Sequence, residues 1–177
     1  MELSFEGYQR FADHAKTAEP YLTKAPSDVV YALAVLAGDH DVEAGYVRYG
    51  SEGRETHWFG LWLVPAGLIH VSAVYGEPNW TGIRESNMGH RPPSAFTSWY
   101  RRVTDVKSIG VGSIDGSGFG DEVMVHGEAI LELDGLPQRL TFRFGGTGSG
   151  ASTLLAELRD RCQSALADGS PAGRRGD

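Results

Sequence analysis

The sequence predicts an α+β domain: a curved antiparallel sheet forming a partly open barrel, capped by a C-terminal helix and preceded by an N-terminal helical extension. The most apolar stretch, Thr56–Gly76, is broken at its centre by a proline and a glycine. Short segments rich in aromatic and β-branched residues occupy the middle of the chain, as is typical of strands. The last long segment repeats apolar residues at helical spacing. Strands followed by one amphipathic helix predict a sheet that folds over a core closed by that helix.

The composition fits one soluble globular domain with short extensions. The chain has 177 residues, of which 41% are hydrophobic and 22% are charged, and this length can bury a core without disulfides. Cys162 is the single cysteine, so no intramolecular disulfide is possible. The cysteine count fits a reducing compartment, and we expect a cytoplasmic protein.

The charge disfavours nucleic acid and anionic membrane surfaces as partners. There are 16 basic and 23 acidic residues, a net charge of −7, and only three of the basic residues are lysines. Phosphate backbones and anionic lipid headgroups attract clustered Lys and Arg, which this chain lacks apart from two Arg-Arg pairs. The first residues carry no basic segment followed by an apolar run, so no secretory signal is predicted.

Residues 1–42 are predicted to form a helical extension. Ser4 is the expected N-cap of the first helix, with Leu3 and Tyr8 placed for a hydrophobic staple. A second helix is expected to start after Pro26, capped by Ser27, and to run as far as Gly38.

Residues 43–167 are predicted to form the β domain with its C-terminal helix. The apolar stretch is read as a hairpin, with strands Thr56–Val64 and Leu68–Tyr75 joined at Pro65–Gly67. Each half has about eight residues, too few to cross a bilayer as a helix. A shorter strand precedes Ser51–Glu55, which is predicted to be a turn.

The second half of the β domain begins after a long polar loop. Gly76–Ser94 is rich in proline and glycine and is predicted to be irregular, long enough to be functional or mobile. Two strands, or one bent strand and its partner, are expected from Ala95, then a turn over residues 116–122. Strand Val123–Leu133 is expected to face the core with alternate residues, namely Val123, Val125, Ala129, Leu131 and Leu133. Asp134-Gly135 indicates the next hairpin turn.

The C-terminal helix is predicted from one apolar stripe. The stripe includes Leu154, Leu155, Leu158 and Cys162, while Glu157 and its charged neighbours point away. Residues 168–177 are small and polar and are expected to be disordered.

Three segments make residues 45–166 resemble the pleckstrin-homology-like superfamily, which includes GRAM and bacterial PH domains. They are the hairpin "HWFGLWLVPAGLIHVSA", the stretch "SWYRRVTDVKSIGVGS", and "LTFRFGG" followed by "TLLAELRDRC". The resemblance implies a docking surface for phosphoinositides or peptides. Lipid-binding members place Lys and Arg in and beside the first hairpin loop, which here is Pro65-Ala66-Gly67. The missing charge argues against phosphoinositide binding and leaves protein docking as the implied role.

The aromatic residues are the candidate binding residues. Both faces of strand Thr56–Val64 are apolar, so one face needs cover from the N-terminal helices or from a partner. An aromatic residue in the long loop can anchor a partner or fold the loop onto the domain. A Trp-Tyr-Arg-Arg run can recognise an acidic peptide or form a strand with a charged, exposed face, and the second interpretation is favoured. The candidate residues are Trp58, Trp62, Trp80, Trp99, Tyr100, Arg101 and Arg102.

The rival interpretation is a pocket lined by strand histidines. His57, His70 and His126 all fall on predicted strands and would line a ligand pocket or an enzyme site if the fold brought them together. No His-x-x-x-His spacing, nucleophile motif or phosphate-binding lysine motif occurs, so no catalytic residue, metal ligand or cofactor is predicted. The function favoured by the sequence is a non-catalytic module that binds a partner protein or a second copy of itself.

Overall fold

The N-terminal segment forms two helices that match the predicted ones, with one correction to their capping. The computed structural model describes residues 3–17, 22–65, 67–119, 122–145 and 150–168. Helix α1 is Phe5–His14 and helix α2 is Ser27–Ala37. The Ser4 hydroxyl accepts a hydrogen bond from the Gly7 N–H at 3.0 Å, so the predicted N-cap is confirmed. Ser27 is not the cap of α2, because it is the first helical residue and Pro26 precedes it.

The first sheet has four antiparallel strands in sequence order. They are β1, Ala44–Glu52; β2, Glu55–Val64; β3, Gly67–Tyr75; and β4, Ala95–Arg102. The predicted hairpin is confirmed, since β2 and β3 pair from Thr56↔Tyr75 to Val64↔Gly67. None of the helices in the described parts of the chain is both long and apolar enough to cross a bilayer.

The long loop between β3 and β4 is not irregular throughout. It contains a third helix, α3, Gly82–Met88, so the prediction of a structureless loop was wrong there. Thr81 is the N-cap, and its side chain accepts a hydrogen bond from the Arg84 N–H at 3.3 Å. Gly82, Ser86 and Asn87 are poor helix formers, which explains why the segment gave no helical signal.

The second sheet has three antiparallel strands. After a single 3-10 turn at Val103–Asp105 come β5, Val106–Phe119; β6, Glu122–Leu133; and β7, Leu140–Phe144. The turn predicted over 116–122 is shorter than expected, because β5 and β6 both extend into it; Gly120 and Asp121 lie outside the described residues. Val125 was expected to face the core but is 44% exposed. It lies beyond the reach of β7, which pairs only with 127–131 of β6.

Helix α4, Ala151–Asp168, follows the second sheet. Residues 169–177 of the predicted tail lie outside the described residues. Leu154 and Leu158 are fully buried, as the apolar stripe predicts. The helix packs against β1, β2, β7 and the 3-10 turn. It therefore covers one end of the space between the two sheets.

The four-stranded sheet is the middle layer of the fold. One of its faces forms a core with α1 and α2, and the other forms a core with the second sheet and α4. Successive side chains of β2 point to opposite faces of the sheet, so Trp58 and Trp62 lie in the first core and Leu61 and Leu63 lie in the second. The two sheets are separate and do not close into a barrel in the described residues, so the coarser prediction of an α+β fold with antiparallel sheets and a C-terminal helix is the one confirmed.

Candidate functional site: a groove between β5 and α4

Three of the candidate tryptophans lie in the core and offer no binding surface. Trp58, Trp62 and Trp80 are each at most 1% exposed. The Trp58 indole N–H donates to the Trp80 carbonyl at 2.8 Å, and that of Trp62 donates to the His14 carbonyl at 2.9 Å. The N-terminal helices and the β3–β4 connection cover this face of the sheet, which corrects their interpretation as surface anchors.

The four consecutive candidates on β4 divide between the two faces of the sheet. Trp99 is half-buried, and its ring lies 5.0 Å from that of His70. Arg101 points to the same side, where its guanidinium approaches the Asp134-Gly135 turn. Tyr100 and Arg102 point to the other side and line a depression next to α4. The candidate set is therefore dispersed, and only Tyr100 and Arg102 share a surface.

The three strand histidines occupy three different environments. His57 is exposed, 3.5 Å from the Glu55 carboxylate. His70 is buried between the rings of Phe59 and Trp99, and its Nδ1 lies 3.0 Å from the Gly60 carbonyl oxygen. Because a carbonyl only accepts, Nδ1 carries the proton, and burial lowers the pKa of His70 from 6.5 to about 4.

His126 lines a shallow depression on the second sheet, beside Glu128 and Arg143. In the described parts of the chain, the one group of three potential metal ligands is instead Asp28, Glu85 and His90. The predicted histidine pocket therefore has no counterpart among these side chains.

A largely apolar depression lies between the start of β5 and the second half of α4. It has a volume of about 380 Å³, and Val103, Val106 and Ile109 lie on one side of it, facing Cys162 and Ala165 of α4. A second depression of about 680 Å³ adjoins it and shares Val103, Thr104 and Ala165. We call the two together the β5–α4 groove.

The β5–α4 groove runs beside an unpaired strand edge. In the described residues β5 is the outer strand of its sheet and pairs only with β6. Edge strands present unpaired N–H and C=O groups to which another chain can add. Register shifts between Val106 and Ser108 and between Val111 and Ser113 limit the regular edge to a short stretch beside the groove.

The charged side chains that line the groove have one sign, although the chain as a whole is acidic. Its charged lining residues are all cations, Lys107 and Arg159 in the first depression and Arg102 and Arg161 in the second. Three of them already have carboxylate partners: Lys107 pairs with Asp134, Arg159 with Asp160, and Arg161 with Glu43. Arg102 has no ion pair with another described residue, although its backbone N–H donates to Asp105 Oδ2 at 3.1 Å. Its guanidinium is therefore the groove cation left to pair with an incoming carboxylate.

Cys162, the single cysteine of the chain, lines the groove. Its side chain is half-buried, and burial raises the pKa of its thiol, so the thiolate is disfavoured. A thiol of this kind is a small apolar lining group rather than a nucleophile.

Comparison with known proteins gives no relative from which a function can be taken. No protein-family model, no curated protein and no solved structure matches this chain. The class that the fold defines is an α+β protein of two antiparallel sheets with a C-terminal helix, and the β5–α4 groove is its candidate site.

Proposed function

We propose that this protein is a non-catalytic docking module that binds an extended, acidic segment of a partner protein in the β5–α4 groove. The segment adds as a strand to the edge of β5 and places apolar side chains against Val106 and Ile109. Arg102 pairs with one of its carboxylates. The observation that carries the proposal is the coincidence of a free strand edge, an apolar floor and all-cationic charged lining in one groove.

The same proposal includes membership of the pleckstrin-homology-like superfamily. Support for it comes from the order of elements, a run of antiparallel strands followed by a C-terminal helix, on which the resemblance rests. The first hairpin turn lacks positive charge, so we expect no phosphoinositide or membrane binding, and the charge of the chain argues against nucleic acid. The single cysteine favours action in the cytoplasm.

The partner is expected to be a different protein rather than a second copy. A homo-oligomer would bring together two chains that each carry a net charge of −7, which disfavours association unless the contact is specific. Light scattering of the purified chain separates the two cases, and we expect a monomer.

The test begins with peptides selected from a random display library against the full chain. The best peptide is expected to be acidic and extended, and its Kd is measured by fluorescence anisotropy. Arg102→Glu should weaken binding about tenfold, as expected for a charge that faces a bound carboxylate. Arg54→Glu makes the same charge change in the exposed β1–β2 turn and should leave the Kd unchanged. This turn is at the opposite end of β2 from Val64, whose carbonyl accepts a hydrogen bond from the groove residue Arg161.

Two further measurements locate the peptide. Methylating alternate backbone nitrogens of the peptide should abolish binding, since strand addition depends on its N–H groups. A photocrosslinker attached to Cys162 should capture the peptide, whereas the same group on a Ser51→Cys, Cys162→Ser variant should not. Equal effects of Arg102→Glu and Arg54→Glu, or crosslinking from position 51 alone, would place the peptide elsewhere and refute the proposal.

A further inference from the structure

Asp28, Glu85 and His90 bring three potential metal ligands together on the side of the sheet covered by α1 and α2. Asp28 lies in the first turn of α2, Glu85 in α3, and His90 just after α3. One ligand atom from each lies within 4.8 Å of the other two. The His90 Nε2 is 3.2 Å from both carboxylate oxygens of Asp28. Three separate elements thus converge on one point.

Both carboxylates are held in place by hydrogen bonds from neighbouring elements. The Tyr75 hydroxyl donates to Asp28 Oδ2 at 3.3 Å. The backbone N–H and the hydroxyl of Ser27 donate to the two oxygens of Glu85, at 2.7 and 2.8 Å. Each carboxylate oxygen has two lone pairs, so these bonds leave capacity for a metal. Donors of this kind orient the ligands in metal sites.

The backbone after α3 is shaped to return His90 to Asp28. Gly89 ends the helix with φ +84°, a conformation that other residues adopt only under strain. On the far side of His90, Arg91 pairs with Glu77 at 2.7 Å. The backbone at His90 is therefore positioned from both sides along the chain.

The two carboxylates of this cluster have no permanently charged cation as a partner among the described residues. Within the described ranges, no lysine or arginine forms an ion pair with Asp28 or Glu85, and the one ionic partner of Asp28 is His90. Two carboxylates this close repel each other. A bound divalent cation would remove that repulsion.

We propose that Asp28, Glu85 and His90 bind one divalent transition-metal ion through an imidazole nitrogen and two carboxylate oxygens. An imidazole ligand favours Zn²⁺ and its neighbours over Mg²⁺ and Ca²⁺, which prefer all-oxygen sets. Three protein ligands leave a coordination position for water or for a donor from a bound molecule. The site is separate from the β5–α4 groove and shares no residue with it.

Zinc titration of the full chain, stripped of metal with a chelator, tests the proposal. Calorimetry should give one saturable Zn²⁺ site per chain, and Mg²⁺ should bind far more weakly. His90→Ala should lower the zinc affinity at least tenfold, as should Asp28→Asn. His57→Ala removes another exposed histidine beside a carboxylate, Glu55, and should leave the affinity unchanged. The His90 side chain is 55% exposed, so His90→Ala is expected to stay folded even if Asp28→Asn does not.

A second readout reports on the ligand set itself. Cobalt(II) bound at three protein ligands and water absorbs in the visible region, and this absorption should be lost in His90→Ala and retained in His57→Ala. Zinc should also raise the thermal midpoint of the wild type and not that of His90→Ala, by the linkage of binding to folding. Absence of saturable zinc binding, or equal affinity in the wild type and His90→Ala, would reduce the cluster to an ion pair between α2 and the loop. Equal losses in His57→Ala and His90→Ala would overturn the site as well.

Discussion

Replacing Gly60 by alanine should destabilise the protein through the Trp62 ring. The indole lies flat across two glycines, Gly60 on its own strand and Gly45 opposite it on β1. A Cβ added at Gly60 would lie 2.5 and 2.6 Å from two ring carbons and would overlap a third. The ring is fully buried and its N–H is held by the His14 carbonyl, so it cannot move without losing that bond.

The magnitude follows from three contributions. Overpacking a buried site costs about 1–3 kcal/mol, and a strained or broken Trp62–His14 hydrogen bond adds about 1 kcal/mol. Replacing a strand glycine by alanine returns about 0.5–1 kcal/mol of backbone entropy. The net expectation is a loss of about 2 kcal/mol in the free energy of unfolding. In thermal unfolding this corresponds to a decrease of about 4–8 °C in the midpoint temperature for a chain of this size.

The assay is urea unfolding followed by tryptophan fluorescence, with Gly50→Ala as the matched control. Gly50 lies on β1 with open space around its Cα, so the same substitution there should be neutral or slightly stabilising. A Gly60→Ala, Trp62→Leu double variant should lose less stability than the sum of the two single variants, with a coupling of about 1–2 kcal/mol. Equal unfolding midpoints for Gly60→Ala and Gly50→Ala would refute the account of how the ring is seated.

Three more predictions concern other parts of the fold. Because burial depresses the pKa of His70 from 6.5 to about 4, the unfolded state binds its proton first as the pH falls. The contribution of His70 to the free energy of unfolding is therefore complete above pH 6.5 and decreases by up to about 3 kcal/mol towards pH 4. In urea denaturation at a series of pH values, the His70→Phe variant should lose less of its free energy of unfolding between pH 6.5 and pH 4 than the wild type. Leu158→Ala should cost about 2–5 kcal/mol by calorimetry and Glu157→Ala less than about 0.5 kcal/mol, since only Leu158 is buried. The buried Thr56 hydroxyl donates to one loop carbonyl and accepts from one loop N–H, so Thr56→Val should cost about 2–4 kcal/mol and increase amide exchange in residues 77–81.

The elements that the sequence predicted well carry their signals locally. The proline and glycine at the β2–β3 turn, the Ser4 cap and the Leu154–Leu158 stripe each depend on residues within a few positions of one another. Backbone sterics place the turn and the cap, and the apolar stripe shows which side of the helix meets the core. The β2–β3 hairpin and the buried face of α4 could therefore be located without knowing what packs on them.

The errors came from contacts between distant residues. The N-terminus of α2 is satisfied by Glu85, 58 positions after Ser27, and no local pattern indicates this. His90 and Asp28 are 62 positions apart, so neither the ion pair nor the metal cluster could be found from spacing. The groove likewise needs the β5 edge and α4 to meet, and only the fold brings them together.

The alternative that placed Trp58, Trp62 and Trp80 at a partner surface failed for a related reason, whereas the alternative of cover by the N-terminal helices holds for Trp58 and Trp62. A strand that is apolar on both faces signals that both are covered, and it does not say by what. Here the cover is the chain itself, through α1, α2 and the β3–β4 connection, whose Trp80 carbonyl accepts from the Trp58 indole. The aromatic residues thus join the helices and the connection to the sheet. The two proposed sites, the β5–α4 groove and the cluster of Asp28, Glu85 and His90, include none of these buried tryptophans. A partner or an ion at either site can therefore be tested without disturbing the tryptophan core.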